Sequence, residues 1–466
     1  MHKTRCFVAL FLGLLTLPVG TLAQDQRPAT QQLARDIFEQ LIEINTTDSQ
    51  GNTTEAAEAM AARLEAAGFP AEDRQVLGPH PRKGNLVARL RGDGSRAPLL
   101  LLAHLDVVEA RREDWSVDPF TFLEKDGYFY GRGTTDDKAM AALFVANLIR
   151  FKQEGYVPDR DLIVALTADE EGGGFNGVRW LLNNHRSLID AAYALNEGGG
   201  GGIKDGKRLL HAVQLSEKMY LSFRLEVKNP GGHSSIPVKD NAIYHLAEGL
   251  TRLAKFDFPV QLNDGTRVFF ERMSEIETGE VAADMKALLE TPPDEAAVAR
   301  LSTSARTNAL MRTTCVATML DAGHAPNALP QTANAVVNCR ILPGESHEEV
   351  QQTLVRVLAD DQIAVTPMGT PTPSPPSPLD PEIMEPIERI TEAMWPGVPV
   401  VPTMLTGATD GLALRNAGIP TYGVSGLFGD VDDIRAHGQD ERIGVEAFYE
   451  GQTFLYRLVK ALSSAQ

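Results

Sequence analysis

The amino-acid sequence predicts an α/β fold: a discontinuous main domain with a central mixed, largely parallel sheet, interrupted by a smaller inserted α+β domain. Two patterns indicate this. Short, continuously apolar runs alternate with helical runs up to about residue 214, which is typical of strands buried on both faces of a sheet. From residue 215 to about 368 the strands instead alternate polar and apolar residues, as half-exposed strands do, and the first pattern then returns.

The main domain is therefore predicted to be discontinuous, formed by residues 24–214 and 369–466. The chain has 466 residues, which is enough for two domains. The proline-rich stretch 367–381 is expected to be the extended return linker, because proline disrupts helix interiors. The expected elements are helices at about 30–68, 138–151, 382–394 and 445–462, and strands at 98–103, 161–167, 191–195, 398–405 and 419–424.

The inserted domain is predicted over residues 215–368. Residues 256–306 within it are polar and mixed, and no element is predicted for them. The expected elements of the rest are a strand at 221–227, a helix at 241–253, strands at 313–320 and 333–342, and a helix at 347–359.

Residues 1–23 have the features of a secretory signal peptide. Lys3 and Arg5 form a basic start, residues 7–19 are apolar, and Ala23 is a small residue at the expected cleavage point. The apolar run is too short for a comfortable membrane span. We therefore expect the chain to be exported, either periplasmic or secreted, with no stable membrane association after cleavage.

Charge and cysteine content restrict the partners. The chain carries 44 Lys and Arg against 62 Asp and Glu, a net charge of -18, which disfavours nucleic acids and anionic membranes. Cys6 lies in the expected signal, so Cys315 and Cys339 remain, too few for a disulfide framework. We expect these two to be buried free thiols, although a bond between them is an alternative.

Four clusters of acidic and histidine residues follow predicted strands or glycine-bearing turns. Ligands of open α/β sheets bind at the carboxyl ends of the strands. Acidic groups massed there are either protonated or compensated by cations, and histidine with carboxylates suits zinc. The clusters are His104-Leu-Asp106, Asp136-Asp137, Asp169-Glu-Glu171 and Glu197.

Each cluster alone also has a purely structural interpretation. His104 could be a hydrogen-bonded core histidine, Asp136-Asp137 a helix N-cap, and Glu170-Glu171 a solvated turn. Their repeated occurrence at similar positions favours a shared metal site.

With the segments that follow, these clusters resemble the co-catalytic zinc exopeptidase family of aminoacylase, glutamate carboxypeptidase, carnosine dipeptidase, succinyl-diaminopimelate desuccinylase and yeast carboxypeptidase S. The resemblance extends over nearly the whole chain after residue 23. The long 256–306 region is more like the carboxypeptidase S branch. The matching segments are AHLDVV (103–108), GRGTTDDK (131–138), ADEEG (168–172), NEGG (196–199), NPGGHS (229–234), APNALP (325–330), NCR (338–340) and AHGQDE (436–441).

The resemblance implies a catalytic domain with two Zn²⁺ ions, for which Co²⁺ or Mn²⁺ can substitute. Asp136 would bridge both ions. His104 and Glu197 would complete one site, and Glu171 and His437 the other.

The resemblance also implies how the site works. Asp106 would hold the second ring nitrogen of His104. Glu170 would be the general base that takes a proton from a metal-bridging water and returns it to the leaving amine. Family members often have a cis peptide bond at the position that matches Asp136-Asp137.

Residues of the inserted domain and the last third of the chain would handle the substrate. His233 would stabilise the oxyanion, sometimes in the active site of a partner subunit, and the inserted lid domain would mediate a homodimer; a turn histidine at a strand end is the alternative. Arg340 and Asn327 resemble residues that grip substrate, although Arg340 could equally form a structural ion pair. A family stretch that lines the pocket is matched by Gly407, Thr409 and Asp410.

The implied activity is hydrolysis of an amide bond next to a free carboxylate, as in a carboxypeptidase or dipeptidase acting on small peptides. A deacylase of N-acyl amino acids would use the same residues and remains an alternative. A non-catalytic binding protein is less favoured, because it would have no need of Glu170 beside a metal site.

Overall fold

The computed structural model describes residues 27–464. Within these residues nineteen strands form four sheets, of ten, four, three and two strands. The strands are β1 Arg74–Leu77, β2 Asn85–Leu90, β3 Leu99–His104, β4 Leu123–Lys125, β5 Tyr128–Tyr130, β6 Leu162–Thr167, β7 Tyr193–Asn196, β8 Gly201–Lys204, β9 Lys207–Glu217, β10 Met219–Lys228, β11 Gly232–His233, β12 Thr314–Ala322, β13 Ala328–Leu329, β14 Thr332–Ile341, β15 Ala364–Met368, β16 Val400–Leu405, β17 Thr421–Gly423, β18 Phe428–Asp430 and β19 Arg442–Gly444.

Fourteen α-helices lie within the same residues. They are α1 Ala29–Glu43, α2 Thr53–Ala66, α3 Lys138–Gln153, α4 Gly177–Asn184, α5 Arg186–Ile189, α6 Ala242–Leu253, α7 Asp264–Ile276, α8 Gly279–Leu288, α9 Glu295–Leu301, α10 Ala305–Met311, α11 His347–Leu358, α12 Pro381–Met394, α13 Gly411–Asn416 and α14 Val445–Leu462.

The ten-stranded sheet confirms the predicted mixed, largely parallel architecture. Its order is β1-β2-β6-β3-β7-β17-β9-β8-β18, with β16 also paired to β9. β3 is parallel to both β6 and β7. Leu99 and Leu101 of β3 pack into the hydrophobic core on one face, whereas Leu100 and Leu102 pack into the core on the other. Burial on both faces explains why this strand is continuously apolar.

The inserted region has its own four-stranded antiparallel sheet, in the order β12-β14-β10-β15. Helices α6 and α11 cover one face, and their apolar residues form a separate core with β10 and β14. Alternate residues of β14 are buried, as the polar–apolar pattern predicts. The exact domain boundaries at residues 214 and 368 stay a prediction.

Residues 256–306, for which no element was predicted, contain helices α7, α8 and α9 and the start of α10. Phe270 and Leu288 from these helices share a core with Met404 of β16. Arg272 of α7 also forms an ion pair with Glu388 at 2.7 Å. Helix α7 packs on β16, more than a hundred residues away, and α8 packs on α7 and α9. Because these helices are short and their burial depends on distant partners, their apolar faces show no long repeating pattern.

Residues 30–68 are largely helical, as predicted, but they form two helices, α1 and α2. Between α1 and α2 the chain turns sharply, and a Cβ on Gly51 would lie 2.2 Å from the main-chain N of Thr47. The side chain of Asn52 then accepts hydrogen bonds from the first turn of α2. Asparagine at this position is a helix N-cap signal, which marks a new helix start rather than a continuing one.

The prediction that Cys315 and Cys339 are free thiols is also wrong, because they form a disulfide. The two residues are directly opposite each other on antiparallel strands β12 and β14, with their Cα atoms 4.1 Å apart. Neighbouring side chains meet in such a pair. The sequence placed both cysteines on strands but did not determine the register that makes their sulfurs meet.

The expected signal peptide, residues 1–23, lies outside the described residues. Between residues 27 and 464, no helix combines the length and the apolar character needed to cross a bilayer.

Breaking the disulfide is expected to destabilise the inserted region. The bond joins residues 24 positions apart, and restricting a loop of that size in the unfolded chain contributes about 3 kcal/mol. We expect a Cys315→Ser/Cys339→Ser double variant to unfold at lower urea concentration than the wild type. Dithiothreitol should shift the midpoint of the wild type and leave that of the variant unchanged. Equal midpoints for the two proteins without reductant would contradict this expectation.

Candidate active site

Three neighbouring parallel strands carry most of the candidate ligands. The sheet order places β3 between β6 and β7. His104 ends β3, the Asp169–Glu171 cluster follows β6, and Glu197 follows β7. Because parallel strands end at one edge of a sheet, these side chains converge there.

Asp136 lies between two histidines that are far apart in the chain. Its Oδ1 is 2.9 Å from Nε2 of His104, and its Oδ2 is 3.1 Å from Nε2 of His437. The two carboxylate oxygens therefore face different histidines. This is the orientation that a carboxylate needs in order to bridge two cations.

Each of these histidines has a further carboxylate beside it. Oε2 of Glu197 is 3.7 Å from Nε2 of His104, and Oε1 of Glu171 is 2.8 Å from Nε2 of His437. The structure thus brings together the five residues that the resemblance implied as ligands.

Asp137 belongs to a cluster that the sequence analysis named, but it was not assigned there as a ligand. Its carboxylate lies within 4.8 Å of ligand atoms of His104 and Glu197, so these three residues could hold one cation. His104, Asp136 and Glu171 form a second such group. The Asp136-Asp137 peptide bond is cis, as the resemblance implied.

Asp106 supports the site differently from what was predicted. Nδ1 of His104 contacts the main-chain oxygen of Asp106 at 2.9 Å, whereas the carboxylate oxygen is 3.7 Å away. The carboxylate instead accepts hydrogen bonds from the main-chain N–H groups of Glu170 and Glu171, at 3.1 and 3.0 Å. Asp106 thereby orients the ring of His104 and also the start of the Glu170 loop.

Glu441 holds the segment that presents Asp136. Its buried carboxylate accepts hydrogen bonds from Arg132 and from the main-chain N–H groups of Gly133 and Thr135, all within 3.0 Å. Sequence analysis placed Glu441 in a matching segment without assigning it a role. The AHGQDE segment marked Glu441 as a candidate, but its supporting role depends on hydrogen bonds with residues more than 300 positions away in the chain.

His437 has an unusual backbone conformation. Its φ is 61°, in the left-handed region that few non-glycine residues adopt. Such conformations persist where surrounding contacts impose them, and they are frequent at functional sites.

Burial of so many acids changes their protonation. Burial raises the pKa of Glu170 to about 10 and that of Glu171 to about 7. Burial also opposes ionisation of Asp136, but hydrogen bonds from His104 and His437 outweigh it and lower the pKa of Asp136. The hydrogen bond to Asp136 in turn raises the pKa of His437 to about 9.

The donor set fits divalent metal ions. Imidazole nitrogens and carboxylate oxygens are ligands that zinc and related metals accept. Cations beside Glu170 and Glu171 would favour the ionised forms that burial opposes, so the charge of a bound metal would suit the electrostatics of the site.

His233 is not joined to the candidate ligands. It is exposed on β11, which pairs with β13, and its Nδ1 lies 2.7 Å from Oγ of Ser235. Asn327, also exposed, accepts a hydrogen bond from the main-chain N–H of Ser234 at 3.1 Å. Among residues 27–464 no hydrogen bond links this pair of short strands to His104, Asp136 or His437.

Arg340 reaches from the inserted sheet to the loop after β16. Its Nη1 donates to the main-chain oxygen of Thr406 at 3.3 Å, and its guanidinium lies 4.8 Å from the centre of the Tyr220 ring. In the described part of the chain no acidic side chain lies within 4.0 Å of it, so the alternative of a structural ion pair finds no support.

The loop after β16 forms a wall of a cavity that contains Glu170. Asp410 is fixed there by Asn176, whose Nδ2 donates to it at 2.7 Å, and Thr409 donates to the buried Glu217 at 3.1 Å. Gly407 is exposed in the same loop, but it is not among the residues that line the cavity. A cavity of about 290 Å³ is lined by Glu170, Glu171, Asn176, Arg179, Thr409 and Asp410, among others.

Known proteins resemble this chain over most of its length. N-fatty-acyl-amino acid synthase/hydrolase PM20D1 of Homo sapiens is 31% identical over 385 residues, covering 80% of this chain and 76% of that protein. Probable carboxypeptidase S-like 2 of Dictyostelium discoideum is 29% identical over 389 residues, covering 81% and 74%.

Solved structures share the fold. The M20 family metallo-carboxypeptidase Sso-CP2 of Sulfolobus solfataricus superposes with a TM-score of 0.66 at 17% identity, covering 92% of this chain and 99% of that one. At that identity the likeness supports the architecture of the fold. The sequence profile of Peptidase family M20/M25/M40 matches residues 100–461, which include every candidate ligand. The chain therefore belongs to peptidase family M20/M25/M40 and is a hydrolase of that family.

Proposed function

We propose that this chain hydrolyses an amide bond next to a free carboxylate, in the manner of a carboxypeptidase or dipeptidase, with two Zn²⁺ ions. The observation that carries the proposal is the orientation of Asp136, whose two oxygens face His104 and His437 at 2.9 and 3.1 Å. His104 and Glu197 would hold one ion and Glu171 and His437 the other, with Asp137 available to the first. When bound, the ions would supply Lewis acidity to the attacking water and the scissile carbonyl.

Glu170 is the base in this proposal. Its main-chain N–H is held by Asp106, and its side chain borders the cavity that Thr409 and Asp410 line. It would take the proton of the attacking water and deliver it to the leaving amine. Arg340 would bind the substrate carboxylate, because its guanidinium has no acidic partner among residues 27–464.

Deacylation of N-acyl amino acids is the second candidate function. The similarity to N-fatty-acyl-amino acid synthase/hydrolase PM20D1 favours it. Both functions cleave an amide beside a carboxylate, so they would use the same residues and differ only in the acyl group.

A homodimer through the inserted domain is part of the proposal. Strand β12 ends the four-stranded sheet, and its Val316, Met319 and Leu320 are 61%, 67% and 68% exposed. An exposed apolar edge strand is suited to pairing with another chain. In such a dimer, the exposed His233 of one copy would act in the active site of the other.

Export of the chain is supported by the disulfide, since such bonds persist in oxidising compartments. N-terminal sequencing of the exported protein should begin at Gln24, and any other start would displace the proposed cleavage point.

The metal sites are tested by counting ions. After chelation and restoration, we expect two Zn²⁺ per wild-type chain by mass spectrometry. Asp136→Asn should weaken both sites because it faces both histidines, whereas Glu197→Gln should leave the site of Glu171 and His437 occupied. One ion per wild-type chain, or equal losses in the two variants, would contradict the assignment.

The role of Glu170 is tested by release of free amine from dipeptides and N-acyl amino acids. Glu170→Gln should lower kcat by a factor of about 10² to 10⁴, the usual contribution of a general base, with zinc content unchanged. Glu58→Gln, on the exposed side of α2, is the matched control and should behave as wild type. The preferred substrates decide between peptidase and deacylase. An unimpaired Glu170→Gln would exclude it as the base.

The dimer is tested by sedimentation of two matched variants. Met319→Lys/Leu320→Lys places charges on the free edge β12 and should give monomers, with lower activity if His233 acts across the interface. Met368→Lys lies on the opposite edge strand β15, is 37% exposed in the wild type, and should stay dimeric. A wild-type protein that sediments as a monomer at micromolar concentration would rule the dimer out.

A further inference from the structure

A buried ion pair outside the metal site lies under the loop that carries Glu170. Lys83, in the turn between β1 and β2, has only 5% of its side chain exposed. Its Nζ is 2.5 Å from Oδ1 of Asp169 and 2.6 Å from Oδ1 of Asp48. The Asp169 side chain is fully buried, whereas that of Asp48 is 63% exposed. Lys83 therefore has one internal partner and one at the surface.

Asp169 immediately precedes Glu170 and closes the loop after β6. Its Oδ2 accepts a hydrogen bond from the main-chain N–H of Phe175 at 3.0 Å, and its main-chain oxygen accepts one from Nδ2 of Asn176 at 3.1 Å. Asp169 also has a φ of 57°, a left-handed conformation that needs surrounding contacts to maintain it. Asp169 thus joins the two ends of the 169–176 loop, through its side chain to Phe175 and through its main-chain oxygen to Asn176.

Two further observations show that the loop is packed around this carboxylate. A Cβ on Gly173 would lie 2.3 Å from Oδ2 of Asp169, so the backbone approaches it closely. The rings of His80 and Phe175 stack with their centres 5.2 Å apart. The 78–84 turn therefore contacts the Glu170 loop twice, by an ion pair and by a ring stack.

Stability alone is a weak explanation for the pair. The cost of removing two charges from water offsets much of their attraction, so buried ion pairs often add little net stability. Their benefit is geometric, since a charge-assisted contact fixes the direction of both partners. Here it fixes the Asp169 carboxylate where it accepts the Phe175 N–H, while Asp106 holds the N–H of Glu170.

We propose that Lys83 is a positioning residue for hydrolysis: through Asp169 it holds the 169–176 loop so that the carboxylate of Glu170 points at the metal site. This inference rests on the proposed role of Glu170 as the base. Lys83 makes polar contacts with Asp48 and Asp169 and with none of the candidate ligands. Replacing Lys83 should therefore lower kcat and leave KM nearly unchanged.

The test compares three variants of the full chain on the preferred substrate. Lys83→Met removes the charge and keeps the apolar stem, and should lower kcat about 10- to 100-fold, as loss of an orienting contact does, with KM within about twofold and zinc content unchanged. Lys83→Arg keeps the charge and should recover most of the loss. Asp48→Asn is the matched control, expected to retain wild-type kcat because Asp169 keeps its cation.

Hydrogen–deuterium exchange gives a readout that does not need activity. Lys83→Met should speed exchange of the amides in residues 169–176 while β6 keeps its protection. Wild-type kcat with unchanged loop exchange would overturn the inference, and so would a loss of kcat that follows loss of zinc alone. If Lys83→Met does not fold, Asp169→Asn, which has the same shape, replaces it.

The two proposals fail in different ways. If the wild type hydrolyses no member of the substrate panel, the proposed function fails, and loop exchange still decides whether Lys83 holds the loop. If the wild type is active and Lys83→Met is equally active with an unchanged loop, only the inference about Lys83 fails.

Discussion

The crowding of buried carboxylates at one edge of the large sheet is the constraint on which the rest of the site depends. Strands β3, β6 and β7 and the turn before α3 bring carboxylates together where burial raises the pKa of Glu170 and Glu171. Such a group is tolerable only if its members are protonated or lie beside cations. The inward carboxylates are Asp136, Asp137, Glu170, Glu171 and Glu197.

A second set of carboxylates holds the first in place. Asp106, Asp169 and Glu441 are buried, and each accepts main-chain N–H groups from a loop that presents an inward-facing residue. Because an ionised carboxylate accepts several hydrogen bonds, one side chain can fix a whole turn. The same residue type therefore serves two purposes here, and the surroundings decide which.

The inserted region contacts the large sheet at β16 and at the loop that follows it. Arg340 reaches the loop after β16, while helix α7 packs on β16 itself. The position of that loop thus depends on both sheets. His233 remains exposed and apart from the ligands, which is what the proposed exchange between two copies requires.

The sequence by itself determined the fold class and the acidic and histidine clusters at strand ends, because apolar strands and the residues that follow them are local patterns. His437 was implied only by the resemblance to the zinc exopeptidase family. His104, Asp136 and Glu197 needed only their place at strand or turn ends. Tertiary structure decided the disulfide, the helices within 256–306 and the supporting roles of Glu441 and Lys83. Each of these depends on strand register or on contacts between residues distant in the chain, and no local pattern encodes which distant groups will meet.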